Sequence, residues 1–386
     1  MKAQKLKKVF LLILFPFSLL QGSCLSQNAN TTTTTPDTLA QSGELTNTIF
    51  SNLANNVIVP TYLNWLDASE SLTTSMDQLC AAPTSTALEN AQEAWRNSHA
   101  LYEQTQAFDF GPSTSLQIQN KVNFSPPSTT AIETIIAGDG TIDLVFINAR
   151  PVALKGFFGL EYLLFDPVGG NANILTQLTD PTDGARRCQY ARLVSVNLQA
   201  QAAELYNAWS EEDGNFIDEF ALAGQGSSTY SMVSNAMGAL VNAMIANAEH
   251  IQDAKLGKPL GKRTGGTAQP EEVESFYSDN SLNDMVNNIK GIQNIYLGSY
   301  QNNSGLSLST YILQTDSSLD KRIKDRIASC LAAIRLIPGD LDIAVVTHPN
   351  AVENAYEEVR QLRIIFEGQM SSVLGSSIVF NSNDGD

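Results

Sequence analysis

An all-α fold built from two packed helical bundles is what this sequence predicts, and three observations predict it. Apolar residues recur at helical spacing along nearly the whole chain, with hardly any strand-like alternation. The links between helical stretches are mostly short, which places successive helices side by side. Roughly 340 residues of ordered chain exceed what one hydrophobic core accommodates comfortably, so two bundles are expected rather than one.

Residues 1–23 read as an export signal. Lys2, Lys5, Lys7 and Lys8 give a positive start, Val9 to Leu20 an apolar centre too short for a membrane span, and Gln21-Gly22-Ser23-Cys24 a cleavage site. Small residues before Cys24 mark it for lipidation, though Gln21 stands where such sites usually carry leucine; ordinary secretion is the alternative. Leu25 after the cysteine is similar to the outer-membrane sorting pattern of Gram-negative lipoproteins. Residues 24–39, with the run Thr31 to Thr35, form a polar tether with nothing to bury.

Residues 40–386 form the helical domain. Leu45 to Leu79 is one long amphipathic stretch with a kink expected near Pro60. Thr86-Ala-Leu-Glu89 reads as a capping box opening a helix to about Phe108. Short helices are expected over Pro126–Ala137 and Ile142–Ala149, and another over Pro151–Phe165. Longer ones run from Asp183 to Trp209 and from Ser228 to Leu256. Residues 257–270, containing Gly265-Gly266, form a hinge-like loop. Ser281-Leu-Asn-Asp284 caps a helix reaching Leu297, and two more cover Ser318–Ile337 and Asn350–Leu374, with Gly375 as C-cap.

The charge narrows the function. Removing residues 1–23 takes four of the 23 basic residues and none of the 40 acidic ones, so the formal charge falls from −17 to −21. Such a chain repels nucleic acid and anionic lipid and attracts cations. Four cysteines are too few for a disulfide scaffold. With Cys24 lipidated, Cys80 at one helix end and Cys188 at another helix start are a plausible pair, and Cys330 reads as a core thiol. No Cys/His cluster marks a structural zinc site.

Two runs carry chemistry. In Lys155-Gly-Phe-Phe-Gly-Leu-Glu-Tyr-Leu-Leu-Phe-Asp166, Glu161 lies in an apolar, aromatic surround with no wet helical face. A buried carboxylate costs several kcal/mol unless a cation, a metal or hydrogen bonds compensate it. In Ala94 to Phe108, Trp95, His99 and Tyr102 share a helical stripe with Arg96 and Glu103 on its flanks. Arg96 is the expected cation for Glu161. His99 and Glu103, four apart, could reach one metal; the alternative is a hydrogen-bonded core histidine. Met232, Met237 and Met244 read as packing. The basic loop Lys258 to Arg263 is a partner contact or a solvated turn.

These runs together resemble the imelysin-like family, also classed as M75 peptidases and associated with bacterial iron uptake. Further landmarks are Pro60-Thr-Tyr62, Thr105, Leu256-Gly-Lys-Pro-Leu-Gly261, Glu274-Ser275-Phe276, Asn288, Gly291, Tyr296-Leu-Gly298 and the ending Phe380 to Asp386. The resemblance implies two similar four-helix bundles with a functional site between them. It also implies a Gly-x-His-x-x-Glu motif, whose histidine position is Phe158 here, and many relatives have Thr-Glu where this chain has Thr105-Gln106. A zinc peptidase needs about three protein ligands and a general base, whereas His99, His250 and His348 are widely separated. The expectation is therefore an exported, lipid-anchored accessory protein binding iron or an iron-bearing ligand, with iron-transport proteins of the envelope as partners. Its interface site would contain Arg96, His99, Tyr102, Phe158, Glu161 and Tyr162. His99, Glu161 and Glu103 are the candidate metal donors, and Asp166, Tyr102, Tyr162, Asp384 and Asp386 are further hard donors suited to iron. An M75-type hydrolase and a purely structural or interaction lipoprotein are the alternatives.

Overall fold

The helical run that opens the structure shows how the chain handles a proline inside a long helix. α1 (Gly43–Leu53) passes through a wider π turn at Ala54–Ile58 into α2 (Val59–Ala81) without leaving helical geometry. Pro60 sits in the first turn of α2, where its missing N–H and its ring are accommodated by the π turn before it. The structure, a computed structural model, describes residues 43–378. The export segment, the tether, Cys24, Phe380, Asp384 and Asp386 lie outside the described residues.

One bundle is made by α2, α3 (Ser85–Thr105), α4 (Gly156–Leu164) and α5 (Gly184–Trp209). α2 packs along both α3 and α5, and α4 lies against α3 and α5. Its core holds all three tryptophans, Trp65, Trp95 and Trp209, each fully buried. The second bundle is α6 (Val233–Glu249), α7 (Ser281–Leu297), α8 (Ser317–Arg335) and α9 (Pro349–Ile365). α8 packs on α7 and α9, and α6 packs on both as well as it closes the group, over an aliphatic core that includes Ile289, Ile323, Ile327 and Val359. Among the described residues the strand pair Ser299–Tyr300 with Asn303–Ser304 is the whole of the sheet. That short hairpin went unanticipated, because two-residue strands carry no alternation to read.

The bundles meet where α3 crosses α7. Gly291 makes this approach possible, since a Cβ there would collide with the Gln104 carbonyl. Gly156, at φ +68°, plays a related part at the start of α4, where a side chain would strike the Val122 backbone.

Several element ends differ from the sequence expectation. The cap of α3 is Thr84, whose hydroxyl accepts from Ala87 N, rather than Thr86. α6 begins at Val233, because the Ser228 hydroxyl donates to Glu219 and holds a turn ahead of the helix. Asp316 caps α8 through Leu319 N. Ser281 and Asp284 open α7 but their side chains face inward, so they do not cap it. The C-terminal helix passes through another π turn at Phe366–Met370 and ends at Gly375 in the left-handed region, as expected of a C-cap. Cys80 and Cys188 form a disulfide with Cα atoms 5.5 Å apart, tying the end of α2 to the start of α5. Cys330 is a buried free thiol.

Candidate functional site

α3 turns Trp95, His99, Tyr102 and Glu103 toward α4 and α7, and all four are buried. Trp95 Nε1 donates to the Phe157 carbonyl at 3.0 Å and pins α3 to α4. The His99 ring lies between aromatic neighbours, with centroids 4.6 Å from Phe157 and 5.5 Å, edge-on, from Phe158. The Tyr102 ring lies near-parallel to the imidazole at 6.3 Å and also meets Phe157 at 5.2 Å. Phe158 thus reaches the centre of the site, but as a wall rather than a ligand.

Both imidazole nitrogens of His99 face carboxylates. Nε2 is 3.1 Å from Glu103 Oε1 and Nδ1 is 3.1 Å from Asp284 Oδ1, as ion pairs rather than well-aligned hydrogen bonds. Burial alone would strip the ring of its charge; Asp284 and Glu103 overcome that and raise its pKa from 6.5 to about 10. The two carboxylates thus favour the charged imidazolium form of His99.

Lys255, at the end of the π turn His250–Gly257, continues the chain of charges. Its ammonium is 2.8 Å from Glu103 Oε2 and 2.7 Å from Glu274 Oε2. Burial opposes the Lys255 charge, but Glu103, Glu274 and Asp284 hold it protonated, above its ordinary value. Burial likewise works against the Glu103 charge, and Lys255 and His99 keep that carboxyl below its ordinary value. Asn288 on α7 donates to Glu103 Oε2 at 2.5 Å and to the Glu103 carbonyl at 2.9 Å. Asp284 accepts from Asn280 at 2.7 Å and from Ser275 at 2.5 Å. Two cations, His99 and Lys255, thus stand among three carboxylates, Glu103, Asp284 and Glu274, across the line where the bundles meet.

Glu161 is fully buried, as its surroundings predicted, but its partner is not Arg96. Oε1 accepts from Ser278 N at 2.9 Å and from Ser278 Oγ at 2.6 Å. Burial drives the Glu161 carboxyl up to about 8, with Ser278 and His99 pulling the other way. A carboxyl that is largely protonated at neutral pH needs no counter-cation. Arg96, one position beyond Trp95, rides on the flank of α3 with its guanidinium 4.7 Å over the Phe165 ring. Tyr162 turns away from Glu161 and donates to Glu133 at 2.6 Å, where Arg187 also binds. Asp166 accepts from Val168 N, Gly169 N and Asn173, closing its own turn.

The structure therefore brings together His99, Glu103, Tyr102 and Phe158, keeps Glu161 nearby on Ser278, and leaves Arg96 and Tyr162 outside. The candidate donors His99, Glu103 and Glu161 are engaged within the protein: His99 by Glu103 and Asp284, Glu103 also by Lys255 and Asn288, and Glu161 by Ser278. Among the described residues no three His, Cys, Asp or Glu side chains are arranged to hold a metal ion. Lys255, Asp284, Ser278 and Ser275 went unassigned from sequence. Glu274, Ser275 and Asn288 stood among the family landmarks, which was the one signal for them.

Beside the network lies a cavity of about 210 Å³, bordered by Lys255, Glu274, His250, Phe124 and Pro126. Its rim carries Glu271 and the Lys258–Glu272 pair, 2.5 Å apart.

The family model described as imelysin, peptidase M75, matches residues 58–365. An iron-regulated protein A of Synechococcus elongatus is 26% identical over 322 residues, covering 80% of this chain and 83% of that protein. A solved structure titled as an iron-regulated protein A precursor from Parabacteroides distasonis superposes with a TM-score of 0.73 at 23% identity, over 86% of this chain and 96% of that one. An imelysin-like protein from Psychrobacter arcticum gives 0.69 at 15% identity, over 88% and 98%. These two likenesses establish the fold.

Proposed function

Because the chain belongs to the imelysin (M75 peptidase) family, we propose that it is an exported, lipid-anchored envelope protein that binds iron or an iron-bearing ligand and does not cleave peptides. One observation carries the non-cleaving half of this reading. The groups a hydrolase would use at the motif are consumed by one another: His99 is locked between Glu103 and Asp284, Phe158 fills the motif histidine position, and Glu161 rests on Ser278. A general base must be free to take a proton, and a catalytic metal needs open donors. The link to iron rests on the cyanobacterial relative's name and on the acidic charge.

The Cys80–Cys188 disulfide supports passage to an oxidising compartment. Among the described residues no helix is long and apolar enough to cross a membrane, which leaves anchoring to Cys24 in this proposal. Cys24→Ser should then release the protein from the membrane fraction; a variant that stays membrane-bound would refute the anchor. Titration with ferric citrate, followed by metal analysis, tests binding, and casein digestion with and without a chelator tests hydrolysis. Bound iron without digestion is the expected result. Chelator-sensitive digestion would overturn the reading. The self-neutralised network favours one second reading, a structural or interaction lipoprotein, which protein free of iron after titration would support.

A further inference from the structure

The inner network borders a cavity at the Lys255–Glu274 pair. Lys255 holds Glu274 through Oε2, which leaves Oε1 facing the His250 imidazole. His250 Nε2 is 3.6 Å from that oxygen, too far for a hydrogen bond, and it is buried without a hydrogen-bond partner. Asn123 adds a buried carbonyl oxygen, Oδ1, that is also without one. All three residues border the cavity of about 210 Å³, with Phe124 and Pro126 as its apolar side.

The geometry points to a site where His250 Nε2 and Glu274 Oε1 take a first-row transition-metal ion that arrives as a small chelate, with its other ligands in place. Imidazole nitrogen and carboxylate oxygen each sit about 2.0–2.2 Å from such an ion, so two donors on one ion stand about 3–3.5 Å apart. The observed 3.6 Å lies just beyond that span, and the imidazole, with its side chain 37% exposed, has room to close it. Among the described residues no third His, Cys, Asp or Glu completes the set, so the remaining coordination must come with the metal. Pockets for drug-sized ligands run about 300–1,000 Å³; this one suits something smaller. Glu271 at the rim, beside the neutralised Lys258–Glu272 pair, favours approach of a cation. The inference deepens the proposed iron role and rests on it for the identity of the metal, while the donor pair stands on geometry alone.

Nickel(II) nitrilotriacetate, which leaves two coordination positions open, is the matching probe, titrated calorimetrically into the full chain. One equivalent should bind. His250→Ala should abolish binding, and Glu274→Gln should weaken it about tenfold or more. His348→Ala, at the exposed histidine outside the site, should bind as the unaltered chain does. Glu274 also supports Lys255, so His250→Ala decides the matter if Glu274→Gln fails to fold. Binding that survives His250→Ala, disappears in His348→Ala, or is absent from the unaltered chain overturns the site. Ferric citrate, titrated in parallel, separates the two ideas. Nickel chelate bound at His250 with ferric citrate refused would keep the site and remove the iron reading. Ferric citrate bound equally by the unaltered chain and His250→Ala would keep the iron reading and remove the site.

Discussion

The inner network and the outer cavity share Lys255 and Glu274 yet behave as opposites. Inside, His99, Glu103, Asp284 and Lys255 leave no charge without an opposite charge in contact. Outside, His250 Nε2 and Asn123 Oδ1 lack hydrogen-bond partners in residues that border an open cavity. Buried ions are tolerated only when paired, so the inner set acts as a clasp between bundles. Unsatisfied polar atoms at a cavity mark where a ligand can supply what the protein does not. In this chain the family's motif region supplies cohesion, and the neighbouring turn supplies the opening.

Breaking the clasp should therefore cost far more than altering the cavity. Lys255→Met leaves Glu103 and Glu274 buried beside each other without their ammonium, and the expected loss is about 3–5 kcal/mol in urea unfolding at pH 7. Adding Glu103→Gln and Glu274→Gln to that variant should recover part of it, since an uncharged trio has no ions to strand. His250→Ala should cost less than about 1 kcal/mol. Equal losses for Lys255→Met and His250→Ala would erase the distinction between the regions.

How the sequence conveyed these regions explains what could be anticipated. Helical periodicity marked the long helices of both bundles, and the aromatic surround of Glu161 declared its burial. Local patterns cannot name a partner 117 residues away, and Ser278 lies in a short polar turn with no period of its own. Lys255 reaches Glu103 across 152 residues, so at its own position it looked like an ordinary helix-end lysine. Asp284 mimicked a helix cap, because aspartate in a first helical turn is commonplace there. Its inward turn toward His99 and Ser275 is a tertiary fact. Glu161 itself misled by seeming to require a cation, when burial without one leaves the carboxyl protonated.

Acidity sharpens the contrast within the inner region, because Glu161 and His99 titrate in different windows. The Glu161 carboxyl lies at about 8 in the fold against an ordinary 4.5, so its neutral form is favoured by folding. That contribution is complete below pH 4.5 and is lost as pH rises to about 8. His99, raised from 6.5 to about 10, contributes fully below 6.5 and loses its share as pH rises through 10. Glu161→Gln should flatten the decline in melting temperature between pH 5 and 8 while leaving the decline above pH 8 in place. Parallel profiles for the variant and the unaltered chain would show that Glu161 is ionised throughout.

The smallest expected effect belongs to the residue the sequence made most prominent. Arg96 stands over Phe165 on the flank of α3, at 4.7 Å, and such a contact is worth about 0.5–1 kcal/mol when partly solvated. Its other influence is electrostatic. Burial, with Asp340 and Asp342, lifts Asp279 to about 6, and Arg96 restrains that rise. Arg96→Ala should lower stability by about 0.5–1 kcal/mol and move the Asp279 titration upward. Neither change reaches Glu161, whose oxygen is held by Ser278. A loss of about 3–5 kcal/mol would instead be the mark of a stranded buried carboxylate, and would mean that Arg96 and Glu161 do meet. Unfolding of Arg96→Ala beside Lys255→Met separates the two cases directly, because both remove one cation and only one of them strands an ion.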